Sequence, residues 1–288
     1  MKAHDRGVLR AFFEPSGVAV IGSLREGWSG GYGVIENLLH FGFAGNIYPI
    51  NPSYSEVLGM TAYPSVNQVT EAIDLAIVII PPPAVPAVIE QCAQKGVKAA
   101  IIVSEGFAEA SKEGAKLQEQ VVGIAHRTGI RIVGPNTIGI ANSANGLVTD
   151  PYPTGYNRIR RGTIAYGAQT GIMGAQALAL EDCAYPISKM CDFGNKCDAN
   201  EVDFLNYLVN DPETKVIALH LEDVRDGQQF MDAARKVAAQ KPVLVLKPGR
   251  SEPGAKALAS HTGSLAGNDQ GYDNAFRQAG IIPRPTGA

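Results

Sequence analysis

The sequence predicts an α/β protein of two consecutive domains, each a doubly wound parallel sheet with helices on both faces. Three observations lead to this fold class: short runs rich in Val and Ile recur along the chain, longer amphipathic segments separate them, and a polar, loop-like stretch at 141–162 interrupts the alternation. Apolar strands joined by helices are typical of parallel sheets covered on both sides. The length of 288 residues also suits two domains.

The first half alternates five strand-like runs with helix-like segments. The strands are predicted at 17–22, 45–51, 73–83, 98–104 and 130–136, and the helices at 33–42, 86–96 and 109–128. Three prolines end the third strand, because proline cannot extend a ladder of hydrogen bonds. This half is typical of a Rossmann-type domain, which we place at 1–145.

The second half repeats the alternation and predicts a flavodoxin-like domain at 150–288. The strands are predicted at 162–171 (with a turn), 186–195, 214–223 and 241–250, and the helices at 172–182, 201–210, 228–239 and 269–280. In such sheets, ligands bind beyond the carboxyl ends of the strands. The loops at those ends are therefore the candidate sites.

Composition excludes several classes of function. Apolar residues make up 45% of the chain and charged residues 18%, which is ordinary for a soluble globular protein. A net charge of −3 provides no field that would gather nucleic acid or an anionic membrane. The N-terminus lacks a signal-peptide pattern, and no apolar run approaches the roughly 18 residues of a membrane span. We expect a cytoplasmic protein.

The cysteines do not predict a metal site. Cys92, Cys183, Cys191 and Cys197 are the four in the chain, and none stands in C-x-x-C spacing. This spacing disfavours both a zinc ribbon and a redox motif. We expect free thiols in a reducing compartment and no metal.

The loop after the first strand, "GSLREGWSGGYG" (22–33), is rich in glycine. Glycines let backbone N–H groups approach an anion, and the next helix offers its positive end. The spacing is not G-x-G-x-x-G, and Asn51 and Pro52 end the second strand where a dinucleotide site would have an acidic residue. The loop therefore favours a phosphate-bearing ligand over a dinucleotide, with a flexible surface loop as the alternative.

The turn "YGAQTG" (166–171) is the corresponding feature of the second half. The hydroxyl of Thr170 and the N–H groups around Gly171 would present donors to an anion at the start of a helix. Many turns of this kind only cap the helix, so this turn alone does not decide between the two roles.

A histidine and a glutamate follow consecutive strands of the second half. His261 lies in "LASHTGSLAG" (258–267), and Glu222 ends the preceding strand. Paired strands lie about 4.8 Å apart, so the two loops can meet. A carboxylate on one ring nitrogen makes the other a better nucleophile. His220 lies on the same strand face as Glu222 and is a rival partner, but the small neighbours of His261 leave room for a phosphate.

Motifs along nearly the whole chain resemble the α portion of the nucleoside-diphosphate-forming acyl-CoA synthetases. This family comprises the ADP-forming acetate–CoA ligases and their relatives, and it is more distantly similar to the succinyl-CoA synthetase α subunit. The motifs are "VAVIGS", "GNIYPINPSYSEVLGMTAYPSV", "EGFAEA", "IRIVGPNTIGI", "DFGNKCDANEVDFLNYLVNDP", "LEDVRDGQQF", "VLVLKPGRSEPGAKALASHTGSLAG" and "YDNAFRQAGII". The last two are very specific to the family.

The resemblance implies a site for coenzyme A in the first domain and a phosphate site in the second. The implied CoA site consists of Gly22, Ser23, Leu24, Asn51, Pro52, Pro81, Pro82, Ser104 and Glu105. The implied phosphate and acyl site consists of Asn136, Gln169, Thr170, Gly171, Asn195 and Lys196. The resemblance also implies that His261 is phosphorylated during turnover and that Glu222 steadies the phosphohistidine.

The activity implied by the resemblance interconverts acyl-CoA, ADP and phosphate with a carboxylic acid, CoA and ATP. An ATP-grasp partner or module would bind the nucleotide with Mg, since no ATP-grasp segment is recognised in this sequence. The chain departs from the family at Thr137, where Cys is common, and in "YGAQTG", which replaces Val-Ser-Gln-Ser-Gly. A CoA-binding regulator without catalysis and an NAD-binding dehydrogenase are the alternative functions.

Overall fold

The computed structural model describes residues 9–152, 159–170, 185–248 and 269–284. The predicted helix at 172–182 lies outside these ranges, as do Gly171 and His261. Within them, strands and helices alternate in the predicted order and form two mainly parallel sheets. The predicted fold class is confirmed.

The first sheet is parallel throughout, in the order β2-β1-β5-β6-β7. The strands of this half are β1 Gly17–Gly22, β2 Asn46–Ile50, β3 Glu56–Val57, β4 Met60–Thr61, β5 Leu75–Ile79, β6 Ala99–Ile102 and β7 Arg131–Val133. All six residues of β1 are buried, as expected for a central strand covered on both faces. The β3–β4 hairpin, two residues a strand, was not predicted.

The helices of this half are α1 Arg10–Phe13, α2 Gly31–His40, α3 Val85–Lys95 and α4 Lys112–Thr128, with 3-10 turns at Val66–Gln68 and Pro82–Ala84. The helix predicted at 109–128 begins at 112, because the hydroxyl of Ser111 accepts a hydrogen bond from the Gly114 N–H at 2.9 Å and caps the helix. Glu109 is thereby left in the loop between β6 and α4.

The second sheet has the order β14-β13-β12-β10-β11-β8-β9. The strands are β8 Ile140–Asn142, β9 Leu147–Val148, β10 Ile159–Ala168, β11 Tyr185–Asp192, β12 Val216–His220, β13 Val243–Leu246 and β14 Ile282–Arg284. The helices are α5 Glu201–Leu208, α6 Gly227–Ala238 and α7 Asp269–Gln278. The pairs from β14 to β11 are parallel, whereas β8 is antiparallel to both β11 and β9.

The stretch 141–162, predicted as loop-like, contains most of the β8–β9 hairpin and the start of β10. The strands of the hairpin are too short to show a periodic pattern in the sequence. They are stabilised instead by contacts with distant segments of the chain. Asn142 donates to the carbonyl of Phe13 at 2.8 Å, and Leu147 and Val148 are buried. The hairpin joins the second sheet although it precedes the predicted boundary, and the boundary itself stays a prediction.

The two sheets meet in a packed junction. The ring of Phe13 lies 5.7 Å from that of Phe204 and 5.0 Å from that of Tyr207. The Arg131 guanidinium forms an ion pair with Asp198 across the junction at 2.7 Å. These contacts hold the carboxyl ends of both sets of strands at one common cavity.

Candidate functional site

A cavity of about 640 Å³ lies where the carboxyl ends of the two sheets meet. It brings together seven of the predicted site residues: Ser104, Glu105, Asn136, Gln169, Thr170, Asn195 and Glu222. The first three follow strands of the first sheet and the other four follow strands of the second. Two residues predicted for the CoA site, Ser104 and Glu105, thus line the same cavity as residues predicted for the phosphate site, in the place where such sheets bind ligands.

A second cavity of about 460 Å³ gathers five of the residues predicted for the CoA site, Gly22, Ser23, Asn51, Pro52 and Pro81. Ile79, the last residue of β5, lines both cavities. The predicted residues Leu24 and Pro82 line neither of them. Leu24 is only 1% exposed and packs in the hydrophobic core.

Asn51 and Gly22 shape the smaller cavity through their backbone contacts. The Asn51 amide donates to the Gly22 carbonyl at 2.7 Å and accepts from the Ser53 N–H at 2.9 Å. A Cβ at Gly22 would lie 2.2 Å from the carbonyl oxygen of Ile79, so the end of β1 requires glycine. Asn51 therefore ties two strand ends together.

Gln169 fixes the backbone that carries Glu222. Its side-chain oxygen accepts from the N–H of Glu222 at 2.7 Å and from the N–H of Asp223 at 3.0 Å, and its nitrogen donates to the Asp223 carboxylate at 2.5 Å. The Glu222 carboxylate is buried, with the residue 4% exposed. Gln169 thus orients Glu222, a role that the sequence did not indicate.

Lys196, predicted near the phosphate, does not line the cavity. Its buried ammonium contacts the carboxylates of Asp223 at 2.8 Å and Glu201 at 3.2 Å and donates to the Asp223 carbonyl at 2.9 Å. Burial alone would raise the pKa of Asp223, but the hydrogen bond and charge of Lys196 hold it below its usual value. Lys196 therefore stabilises the loop that contains Asp223 through contacts in the protein interior.

His220 is buried on β12 with 6% of its surface exposed. Burial lowers the pKa of its ring, and the nearby charge of Lys247 adds to the effect. The Nδ1 atom is buried and has no hydrogen-bond partner in the part of the chain that the structure describes. These conditions favour a neutral His220. The pairing of Glu222 with His261 stays a prediction.

Two buried carboxyl groups near the larger cavity were not identified from the sequence. Burial raises the pKa of Asp192, which lines the cavity, to about 6, although its carboxylate accepts from the Ile138 N–H at 2.8 Å. Burial likewise raises the pKa of Asp150, which follows β9, to about 7. Asp192 begins the motif "DFGNKCDANEVDFLNYLVNDP", but neither its burial nor that of Asp150 was indicated by the sequence.

Charges on the described lining residues are mainly negative: five carboxylates (Glu105, Glu109, Asp192, Glu222 and Asp223) face the cavity with one guanidinium, Arg225. Arg225 donates to the carbonyls of Asn195 at 2.9 Å and Lys196 at 2.8 Å. Among the described residues, no cluster of three or more His, Cys, Asp or Glu side chains suits a metal ion. No helix of the described part is both long and apolar enough to cross a membrane.

The fold and the cavity define an α/β protein in which two mainly parallel sheets present the carboxyl ends of their strands to one cavity. A family profile described as a CoA binding domain matches residues 16–143. A second profile, described as the succinyl-CoA ligase like flavodoxin domain, matches residues 161–286.

Comparison with known proteins gives the same result at the level of whole chains. Acetate–CoA ligase (ADP-forming) II of Archaeoglobus fulgidus is 40% identical over 279 residues, which are 95% of this chain and 41% of that protein. The α subunit of acetate–CoA ligase (ADP-forming) I of Pyrococcus furiosus is 39% identical over 281 residues, 95% of this chain and 60% of that subunit.

A solved structure from Candidatus Korarchaeum cryptofilum is also similar. It is that of a dinucleotide-forming acetyl-coenzyme A synthetase 1 in complex with phosphate and ADP. It superposes with a TM-score of 0.88 at 36% identity, over 97% of this chain and 60% of that one. The chain belongs to the family formed by the α portions of the ADP-forming acyl-CoA synthetases, and it spans about 40 to 60% of the length of these curated relatives.

Proposed function

We propose that the chain is the part of an ADP-forming acyl-CoA synthetase that binds CoA and carries the phosphoryl group. The complete enzyme interconverts acyl-CoA, ADP and phosphate with a carboxylic acid, CoA and ATP. The observation that carries the proposal is the shared cavity, where Ser104 and Asn136 of the first domain face Thr170 and Glu222 of the second. Family membership supports it.

We place coenzyme A across the pair of cavities in one orientation. The smaller cavity, with Gly22 and Pro81 at its wall, takes the nucleotide end, and the larger one takes the pantetheine arm and the thioester. Ile79 lies where the arm would pass from one to the other, since it lines both.

The first chemical step forms an acyl phosphate in the larger cavity. An oxygen of inorganic phosphate attacks the thioester carbonyl carbon, the C–S bond breaks, and CoA leaves as its thiolate. The hydroxyl of Thr170 and the N–H groups near Gly171 would hold the phosphate, because donors at the start of the predicted helix stabilise developing negative charge. The carboxylates that line the cavity make such donors necessary.

The second step transfers the phosphoryl group to His261. A ring nitrogen attacks phosphorus, the bond from phosphorus to the acyl oxygen breaks, and the carboxylic acid leaves as its carboxylate. Glu222 accepts a hydrogen bond from the other ring nitrogen and so orients the imidazole. The small residues on both sides of His261 suit a segment that moves between two sites.

A partner would provide the binding site for the nucleotide. An ATP-grasp subunit or module would hold ADP with Mg, and the phosphohistidine would pass its phosphoryl group to the terminal phosphate oxygen of ADP. The substrate acid is a small carboxylic acid. An assembly of this chain with such a partner follows from the proposal.

The cavity residues favour this function over the two alternatives. A CoA-binding regulator without catalysis requires neither His261 nor a buried Glu222 at the carboxyl end of β12. An NAD-binding dehydrogenase needs an acidic residue after β2, and the chain has Asn51 there, with its amide engaged by Gly22.

Titration with CoA and with NAD tests the proposal on the chain itself. Trp28 is the only tryptophan, it is 56% exposed, and it adjoins Ser29 and Gly30 at the wall of the larger cavity. We expect CoA to change its fluorescence saturably and NAD to leave it unchanged. Calorimetry on Trp28→Phe is the control and should show the same preference. Saturable binding of NAD without binding of CoA would contradict the proposal.

A further inference from the structure

A carboxylate of the first domain contacts an amide of the second beside the larger cavity. Glu109 Oε1 accepts the N–H of Gly106 at 2.6 Å and that of Phe107 at 3.0 Å, while Oε2 accepts a hydrogen bond from Asn195 Nδ2. Burial opposes the charge of Glu109, but the hydrogen bonds from Asn195 and these N–H groups lower its pKa. Glu109 is therefore an ionised acceptor at neutral pH.

Asn195 passes this contact on to Asn136 at the cavity wall. Its Nδ2 also donates to Gln118 Oε1 at 3.0 Å, so both of its N–H groups have partners in the first domain. Its Oδ1 accepts from Asn136 Nδ2 at 3.4 Å. The three side chains Glu109, Asn195 and Asn136 form a series of contacts that we call the amide relay.

The charge of Glu109 determines the direction of the amide relay, that is, which polar atom of each amide faces the next side chain. An ionised carboxylate only accepts hydrogen bonds, so the Asn195 atom facing it must be nitrogen. The oxygen of Asn195 then faces Asn136, and the Asn136 atom facing that oxygen must again be nitrogen. The carbonyl oxygen of Asn136, an exposed residue that lines the cavity, remains for a ligand.

The backbone prevents the relay from relaxing by a small movement. The Asn195 N–H donates to the Pro135 carbonyl at 2.9 Å, and Arg225 donates to the Asn195 carbonyl at 2.9 Å. A Cβ at Gly194, which has a φ of +53°, would lie 2.3 Å from the Pro135 carbonyl oxygen. The two domains thus meet in one fixed register at Asn195.

We propose that Glu109 is a positioning residue that sets the direction of the amide relay, so that Asn136 offers a hydrogen-bond acceptor to the ligand. The ligand group beside Asn136 is then a neutral donor: the thiol of CoA or the amide N–H next to it. A carboxylate or phosphate oxygen would be repelled there. This inference rests on the proposed function, since it takes CoA as the ligand.

Glu109→Gln tests the direction because it keeps the shape and changes one acceptor into a donor. The new amide would retain the bonds to Gly106 and Phe107 through its oxygen and would turn its nitrogen toward Asn195. The relay would reverse, and Asn136 would present N–H to the ligand. We expect CoA affinity to fall about tenfold, as for one lost hydrogen bond with an unmatched donor.

The double variant E109Q/N195D, which exchanges the carboxylate and the amide between the two positions, is the decisive test of the amide relay. It moves the carboxylate, which only accepts hydrogen bonds, from position 109 to position 195. The Asn136 nitrogen then again faces an oxygen. N195D alone places two carboxylates face to face; their repulsion would displace the substituted side chain from Asn136, so this variant should weaken CoA binding as well. We expect the double variant to bind CoA within about twofold of wild type, although both single variants are weakened.

Glu119→Gln is the matched control, since this exposed residue lies on α4 and the substitution removes the same charge. It should leave CoA binding unchanged. If E109Q does not fold, N195D is compared with E109Q/N195D, and tighter binding by the double variant supports the proposal. Equal or weaker binding by the double variant overturns it.

Desulfo-CoA, which lacks the thiol, distinguishes the two possible donors. If the thiol is the donor, E109Q weakens CoA and leaves desulfo-CoA unchanged; if the amide is the donor, both weaken alike. Equal affinity of wild type and E109Q for both ligands overturns the relay. A wild-type chain that binds neither ligand contradicts the proposed function instead, and the relay is then decided by whether E109Q/N195D restores a thermal midpoint lowered by N195D.

Discussion

At the scale of single residues, Glu222 owes its position to hydrogen bonds that do not involve its own carboxylate. Gln169 accepts from its N–H at 2.7 Å, and the buried Lys247 ammonium donates to its carbonyl at 2.7 Å. These two bonds fix the backbone from which the Glu222 side chain extends. Such a group orients an imidazole without moving, which favours transfer to a ring held in one tautomer.

Glu222→Gln should slow phosphorylation of His261 by about 100-fold or more, because an amide holds the imidazole less well and does not stabilise its positive charge. Rapid-quench measurement of phosphoryl transfer from an acyl phosphate gives the rate. CoA affinity, measured through Trp28 fluorescence, should stay near the wild-type value. An unchanged rate would show that His220 or another group orients the ring.

The sequence predicted residue types at this scale better than it predicted their roles. Glu222 and Thr170 could be found because they end strands, and the chamber contains both. Gln169 was expected at the helix start that holds phosphate and Lys196 close to the phosphate chamber, and the structure adds that polar atoms of both contact Asp223 and its neighbours. Hydrogen-bond partners from distant segments decided this, and no local pattern records them.

At the scale of elements, the β8–β9 hairpin brings a titratable group to the junction. Asp150 follows β9, is 1% exposed, and accepts from the Tyr152 N–H at 2.8 Å. Burial raises its pKa to about 7, against a usual value of 3.8. The folded protein thus keeps this proton to a higher pH than the unfolded chain does. The resulting loss of stability begins near pH 4 and is complete above pH 7.

Asp150→Asn should therefore gain stability relative to wild type as the pH rises. Between pH 5.5 and pH 8 the difference in unfolding free energy should move in favour of the variant by about 2 kcal/mol. Urea unfolding at the two pH values measures it. Asp232→Asn, an exposed change of the same charge, should show no such trend. A difference that is constant with pH would contradict the burial of an ionisable Asp150.

Elements could be predicted from the sequence where burial on both faces left a continuous apolar run. β1 and β6 are buried along their whole lengths and were found. The hairpin strands Ile140–Asn142 and Leu147–Val148 were missed, since two or three residues carry no period and their pairing partner is β11. Tertiary contact, not local propensity, makes these segments strands.

At the scale of the whole molecule, the junction turns two separate sheets into one chamber. The sequence indicated two sheets, each with its own ligand edge, but it could not predict that the edges face each other. Glu109 and Asn195 lie 86 positions apart, and their contact depends on the docking of the domains. The amide relay was therefore accessible only from the structure.

Phosphoryl transfer to His261 tests the central claim most directly. The full chain and its His261→Ala variant are incubated with a small acyl phosphate such as acetyl phosphate, and their intact masses are compared before and after mild acid. We predict that wild type gains one acid-labile phosphoryl group and that the variant gains none while still binding CoA. A phosphoryl group on the variant, or none on wild type with acetyl, propionyl and butyryl phosphate in turn, would contradict the account.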